Sequence, residues 1–226
     1  MKASIVTSGD GSHTLRLDGQ DEHYHSVFGA VSESKHVFID SGLHAVLREG
    51  TASLSILEVG FGTGLNALLT VLDPLVEKVD IHYTGIEAYP LEKTIWQKLN
   101  YPEVIGDERA AGMYSKLHEA AWDKPAEIRS GFILHKIRCR LEDYSHDAGK
   151  ADLICFDAFA PDVQPELWTP EIFGKIASFT KAGGMLLTYS CKGSVKRALR
   201  SAGFMIEKLP GPEGKREILR AIRLKK

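Results

Sequence analysis

The sequence predicts an α/β protein built on a doubly wound, mainly parallel sheet. Apolar, β-branched runs of strand length alternate with helix-compatible stretches, and three of those runs end on a carboxylate, at Glu58, Glu87 and Asp157. The first opens directly into closely spaced glycines. Parallel strands need a crossover between them and are covered on both faces, so continuous apolar runs separated by helices argue for that arrangement.

A chain of 226 residues suits one large α/β unit with additions. The expected division is an N-terminal extension over 1–52 and a core over 53–226, with a helical insertion near 101–126. A net charge of −2 excludes a wholly basic nucleic-acid wrapper but allows a local basic face. Cys139, Cys155 and Cys191 are odd in number and far apart, which suggests neither a disulfide framework nor a thiolate metal site. The opening MKASIVTSGDGSH has no apolar signal core, and no run approaches the ~18 apolar residues of a membrane span, so a cytoplasmic protein without a membrane partner is expected.

Along the chain, 14–17 suits a short strand and 36–48 has apolar spacing that includes helix. Between them, Asp21 to Ser26 is polar around Tyr24, which is either a packing residue or a wall of the site's mouth. His23 and His25 share one face of an extended segment, and His36 follows. No further ligand stands at a recognisable spacing, so no metal is expected. Residues 53–59 read as the first core strand, 64–72 as a helix stopped near Asp73-Pro74, 80–87 as the second strand and 90–99 as a helix. The long link 101–126 contains a helix-compatible run at 108–122. Strands follow at 132–137, 151–157, 185–190 and 204–209, with helices at 170–180 and 194–202. A Gly/Pro turn at 210–214 leads into 217–222, which pairs back as an antiparallel hairpin.

The chemistry gathers at the strand-end acids, because ligands of open α/β sheets bind beyond the carboxyl ends of the strands. The turn reads Glu58-x-Gly60-x-Gly62-x-Gly64, neither the spacing of a dinucleotide turn nor a phosphate loop with its lysine. With Glu87 a little over ~20 residues beyond the glycines, it resembles motif I of the class I S-adenosylmethionine-dependent methyltransferases. The resemblance implies a seven-stranded sheet whose last two strands form the antiparallel hairpin. It also implies an S-adenosyl-L-methionine turn made by Gly60, Gly62, Thr63, Gly64 and Asn66, with Glu58 accepting from the cofactor's ammonium directly or through water and Glu87 gripping the ribose. Asp157 opens Asp-Ala-Phe-Ala-Pro, and as a carboxylate it can accept from an amine and assist its deprotonation; a turn-capping aspartate is the bland alternative.

A larger ordered set adds Pro165-Glu166-Leu167-Trp168-Thr169 and Gly214-Lys215-Arg216-Glu217 to the glycine turn and the Asp157 motif. From about Asp21 to Ile222 the chain resembles the methyltransferase component of the bifunctional tRNA 5-methylaminomethyl-2-thiouridine biosynthesis family. That resemblance implies N-methylation of the 5-aminomethyl group on wobble uridine 34 in the tRNA anticodon loop. Asp157 would orient or deprotonate the amine, and Phe159, Pro161 and Trp168 would line the entrance for an everted base, with Tyr24 beside them if it is a wall of the mouth. Many relatives carry a Gly-Asp pair after the third strand, where this chain reads Ile137-Arg138-Cys139-Arg140-Leu141-Glu142-Asp143. Either Glu142 or Asp143 then faces the adenine, or backbone and apolar contacts hold it. The bifunctional relatives continue into a flavin-dependent oxidase, whereas this sequence runs to Lys226. The expected substrate is therefore tRNA already carrying a free aminomethyl group, supplied by upstream aminomethyluridine-forming enzymes or a separate oxidase.

Basic residues outnumber acidic ones after residue 191, which suits a phosphate-binding face, with Lys215 and Arg216 the strongest choices. Lys196, Arg197 and Arg200 at helical spacing also suit a solvated helix face. The rival readings are an aminopropyltransferase resembling spermidine synthase, a small-molecule amine methyltransferase, and a non-catalytic RNA-binding module.

Overall fold

The computed structural model describes residues 3–17, 19, 22–145 and 150–225; Asp21 and Lys226, used above, lie outside them. Strands β1 (Ala3–Thr7) and β2 (His13–Leu17) form a separate two-stranded antiparallel sheet. Only β2 was expected from the sequence. β1 is five residues long with none fully buried, and so short a half-exposed segment carries little signal. The chain then runs back along β2, with the Tyr24 N–H donating to Leu15 O at 2.9 Å, into a helical stretch. That stretch comprises α1 (Ala30–Ser34), a π-helical segment (Lys35–Leu43) and α2 (His44–Val46). Val37, Phe38, Ile39 and Leu43 bury its inner face.

The main sheet opens with β3 (Ser53–Val59), followed by α3 (Leu65–Leu72) and β4 (Asp80–Ile86). Next come α4 (Lys93–Trp96), α5 (Tyr101–Ile105), α6 (Ala110–Glu119), β5 (Pro125–Arg129) and β6 (Phe132–Ile137). The second half contains β7 (Ala151–Phe156), α7 (Pro170–Phe179), β8 (Thr180–Thr188), α8 (Gly193–Ser201), β9 (Phe204–Pro210) and β10 (Glu217–Arg223). The order is β5-β6-β4-β3-β7-β8-β10-β9. β6, β4, β3, β7 and β8 are parallel, and the terminal β9–β10 pair is antiparallel, as expected.

One correction concerns strand number: among the described residues the sheet has eight strands, because β5 adds an antiparallel edge to β6. Its sequence, PAEIR, buries only Ile128, and an edge strand of that kind carries no long apolar run. Gly131, at φ 73°, closes the hairpin between the two. The helix expected at 90–99 is a single turn at α4, after which Pro102 sits in the first turn of α5. α7 starts as its sequence dictates, with Thr169 Oγ1 accepting from the Ile172 N–H at 3.3 Å and Pro170 in its first turn.

Strand periodicity divides the core. Leu54 and Ile56 of β3 face a cluster with α3, α6 and the π-helical segment, while Leu57 and Val59 face α7 and α8. Each such side chain contributes ~1.5–3 kcal/mol by leaving water. With both faces covered, the carboxyl ends of β3, β4 and β7 remain as the place for a site, at the point where the chain reverses its direction of growth across the sheet.

Candidate active site

A cavity of about 350 Å³ lies at those strand ends. The glycine turn forms one side of it. Gly60 and Gly62 have φ of 87° and 47°, in the region that only glycine enters freely. A Cβ on Gly60 would stand 2.6 Å from Asp157 O, so the β3 and β7 ends approach closely because that side chain is absent. Phe61, also in the lining, is buried and anchors the turn, packing against Gly85, Trp122 and His118. Behind it, the buried Lys136 ammonium lies 4.8 Å from the Trp122 ring centre and donates to His118 O at 2.7 Å; burial lowers its pKa to about 8.

Glu87 follows β4 and is oriented by two backbone donors, Gly62 N–H at 2.9 Å and Tyr89 N–H at 2.8 Å. Burial raises its pKa. Thr63 is held from three sides: its hydroxyl is 2.8 Å from His25 Nε2, and its carbonyl accepts from Tyr114 Oη at 3.1 Å and lies 3.0 Å from His118 Nε2. Burial keeps His25 neutral by lowering its pKa to about 4. α6, within the expected insertion, thus supports the turn from behind.

Asp157 follows β7 and opens into the cavity. The Asn66 amide nitrogen donates to Asp157 Oδ2 at 2.9 Å and to Glu58 Oε1 at 2.8 Å, and Tyr83 Oη is 2.9 Å from Glu58 Oε2. Burial pushes Asp157 up to about 7, opposed by the Asn66 amide, with the Glu33 charge raising it and the Lys215 charge lowering it. A carboxyl poised there changes protonation near neutral pH, which suits proton transfer to and from an amine.

The opposite wall comes from the N-terminal segment and the β9–β10 turn. Tyr24 packs edge-on against Phe159 with ring centres 5.0 Å apart, so the two aromatic candidates form one surface of the cavity. Glu33 ion-pairs with Lys215, whose ammonium lies 4.1 Å from the Tyr189 ring centre. Glu22, Glu33, Glu142 and Glu166 join Glu87 and Asp157, so the lining is acidic, with Lys215 and Arg140 as cations.

Several expected residues stand elsewhere. Glu58 is 1% exposed and does not line the cavity; Asn66 lies between it and Asp157. Gly64 supports the turn at φ 72°, with His118 and Phe61 against it, without reaching the cavity. Asp143 is exposed and outside the lining, whereas Glu142 lines the cavity and pairs with Arg140 at 2.7 Å. Pro161 is also outside the lining. Trp168 is a core residue: it donates to Phe159 O at 2.9 Å and packs on Phe156 and Phe173, because the short helix carrying it turns its ring inward. Trp168→Ala is therefore expected to cost about 3–5 kcal/mol of stability in urea denaturation while changing RNA affinity little. Lys215 is half-buried within the cavity wall, and Arg216 lies outside it, exposed. Tyr189 went unnoticed although it follows β8, where the strand-end rule points. Nothing in the sequence marks Glu33.

Among the described residues, no group of three His, Cys, Asp or Glu side chains is placed to hold a metal ion, and no helix is long and apolar enough to cross a membrane. His25 is engaged with Thr63, and His36 Nε2 lies 2.8 Å from Pro210 O.

Comparison with known proteins agrees with this architecture. An S-adenosyl-L-methionine-dependent methyltransferase family matches residues 116–224. The tRNA 5-methylaminomethyl-2-thiouridine biosynthesis bifunctional protein MnmC of Azoarcus sp. (strain BH72) is 33% identical over 96% of this chain and 35% of its own length. The chain spans about a third of the length of the curated relatives it matches. The crystal structure of MNMC2 from Aquifex aeolicus superposes with a TM-score of 0.81 at 25% identity, over 99% of this chain and 71% of that one. Spermidine synthase from Thermotoga maritima shares the fold, with a TM-score of 0.60 at 12% identity over 98% of this chain and 68% of that one. The chain thus has the class I S-adenosylmethionine-dependent methyltransferase fold and is a relative of the tRNA 5-methylaminomethyl-2-thiouridine biosynthesis proteins.

Proposed function

We propose that the chain transfers a methyl group from S-adenosyl-L-methionine to the 5-aminomethyl group of the wobble uridine in a tRNA anticodon loop. The observation that carries this reading is a single cavity that joins the glycine turn and Glu87 to an Asn66-oriented carboxyl, Asp157, beside the Tyr24–Phe159 aromatic surface. The turn suits the cofactor: Gly60 and Gly62 both line the cavity without a side chain, and the Tyr24 ring comes to 3.2 Å from where a Cβ on Gly62 would stand, which draws that wall close to the turn. Val59, Ile86 and Leu141 supply apolar lining, and Glu87 has further acceptor capacity for ribose hydroxyls. Bound S-adenosylmethionine supplies an electrophilic methyl carbon, so the chain's own part is alignment and proton handling. Asp157 accepts a hydrogen bond from the amine and takes its proton; Phe159 and Tyr24 offer their rings to an extruded base.

The phosphate-binding surface is narrower than the sequence suggests. Lys192, Lys208, Lys215 and Arg220 are ion-paired with Asp162, Glu217, Glu33 and Glu207, and Arg223 donates to backbone carbonyls. Lys196 and Arg216 both lie within electrostatic reach of Glu217, which pairs with Lys208. Arg197 and Arg200 of α8 are exposed beside Lys196 in sequence. Replacing Lys196 and Arg216 together by Ala should weaken tRNA binding and flatten its log–log salt slope by about 1–2. An unchanged slope assigns the phosphates elsewhere.

The acidic lining favours one second reading, a transferase for a cationic small amine such as a polyamine. The test is transfer of labelled methyl from S-adenosylmethionine to tRNA bearing 5-aminomethyluridine at position 34, with unmodified tRNA and free polyamines as controls. Label recovered as the methylaminomethyl nucleoside supports the first reading. Label on polyamine alone, or cofactor binding without transfer to tRNA, overturns it.

A further inference from the structure

Glu58 is the acid that the resemblance gives to the cofactor's ammonium, yet its surroundings are those of an interior anchor. It is buried among β3, β4, β7 and α3 and does not line the cavity. The charged groups acting on it, Glu87 beyond β4 and Asp157 beyond β7, are both acids. Its other titratable neighbours, Tyr83 and Cys155, bring no positive charge. A carboxyl desolvated without a cation takes up a proton; the Tyr83 hydroxyl donates to Glu58 Oε2 at 2.9 Å, and because a hydroxyl oxygen also accepts, the same contact reversed accommodates the protonated carboxyl. The Asn66 amide nitrogen spends one hydrogen on Glu58 and the other on Asp157. It keeps this orientation although Asn66 Oδ1 is left buried without a partner. An amide committed at both hydrogens cannot turn without releasing one carboxyl, so Glu58 determines where Asn66 holds the acceptor oxygen of Asp157.

We propose that Glu58 is a neutral anchor which, through the Asn66 amide, fixes the orientation of Asp157, and that it is not the counter-ion of the cofactor's ammonium. This rests on the proposed meeting of Asp157 with the amine. The two carboxyls bridged by one amide then carry a single negative charge, on the member that opens into the cavity. Glu58 and Asn66 are positioning residues, acting on the reaction only through Asp157.

The proposal makes opposite demands from those of a counter-ion. A carboxyl kept protonated in the folded state loses stability as pH rises above its unfolded value, because the unfolded chain releases the proton first. Glu58→Gln removes that penalty and keeps both the acceptor for Asn66 and a donor for Tyr83. Its melting temperature should therefore rise relative to the wild type as pH is taken from about 5 to about 9. Infrared spectra of the wild type at about pH 8.5, where Asp157 is ionised, should show a protonated-carboxyl band that Glu58→Gln lacks. In methyl transfer, Glu58→Ala should lower kcat by about tenfold or more, with Glu58→Gln rescuing most of the loss. Asn66→Ala should move the acid limb of the pH profile upward from its wild-type position, since the amide holds Asp157 down.

A Glu58→Gln protein that loses about tenfold or more in equilibrium affinity for S-adenosylmethionine, without the alkaline gain in melting temperature, overturns the anchor in favour of the counter-ion. Absence of transfer by the wild type itself would instead count against the proposed function, while the thermal and infrared measurements would still report the state of Glu58.

Discussion

Asp157→Ala is expected to lower methyl transfer to aminomethyl-tRNA by about 10²–10⁴-fold, the span of a positioned general base, while equilibrium binding of S-adenosylmethionine changes little. Single-turnover transfer and a separate binding titration read the two quantities. Turnover equal to wild type would remove Asp157 from the mechanism. The wild-type kcat/KM should rise with pH through an acid limb at about 7, because the amine's partner must be ionised and burial holds Asp157 there. Stability runs the other way. A carboxyl raised from its unfolded value of ~3.9 holds a proton that the unfolded chain has already released, so folding free energy declines as pH climbs between those values. Asp157→Asn escapes that decline and should be the more stable protein above about pH 7. Opposite pH trends in activity and stability from one residue are the signature to look for.

Gly60→Ala is the second change with a large expected effect. The position has φ 87°, and the added methyl would stand 2.6 Å from Asp157 O, a backbone atom that cannot swing aside. The left-handed conformation alone costs ~1–2 kcal/mol for a residue with a Cβ. Relieving the contact requires the β3 and β7 ends to separate, which displaces Asp157 and the turn together. The variant should lose cofactor affinity by more than about tenfold and unfold at lower urea than the wild type. A correctly folded variant with wild-type affinity would show that the turn has slack that the geometry does not suggest.

The sheet was legible because its central strands are buried on both faces. Ile56, Leu57, Ile81, Leu153 and Ile154 form dense apolar runs, and the glycines mark the first turn without ambiguity. β5 was not legible, since an edge strand with one buried residue reads like its flanking loop. The cavity was legible only on the side built from strand ends. The structure brings Gly60, Gly62, Glu87, Asn66, Asp157 and Phe159 together there. Glu33 and Lys215 belong to the same wall but meet across 182 positions of sequence, and no local pattern encodes such a meeting. Trp168 was misplaced for the converse reason: its neighbours in sequence line the cavity, yet its ring turns inward onto Phe173.

The Glu33–Lys215 contact also has a consequence for how the protein is made. One wall of the cavity is supplied by the first helix and the last hairpin, so a chain emerging from the ribosome assembles the glycine turn long before it can close that wall. Contacts separated this far along the chain are the slow ones to form. Binding competence thus waits on the β9–β10 turn, and a nascent chain that has not yet released that turn presents half a pocket.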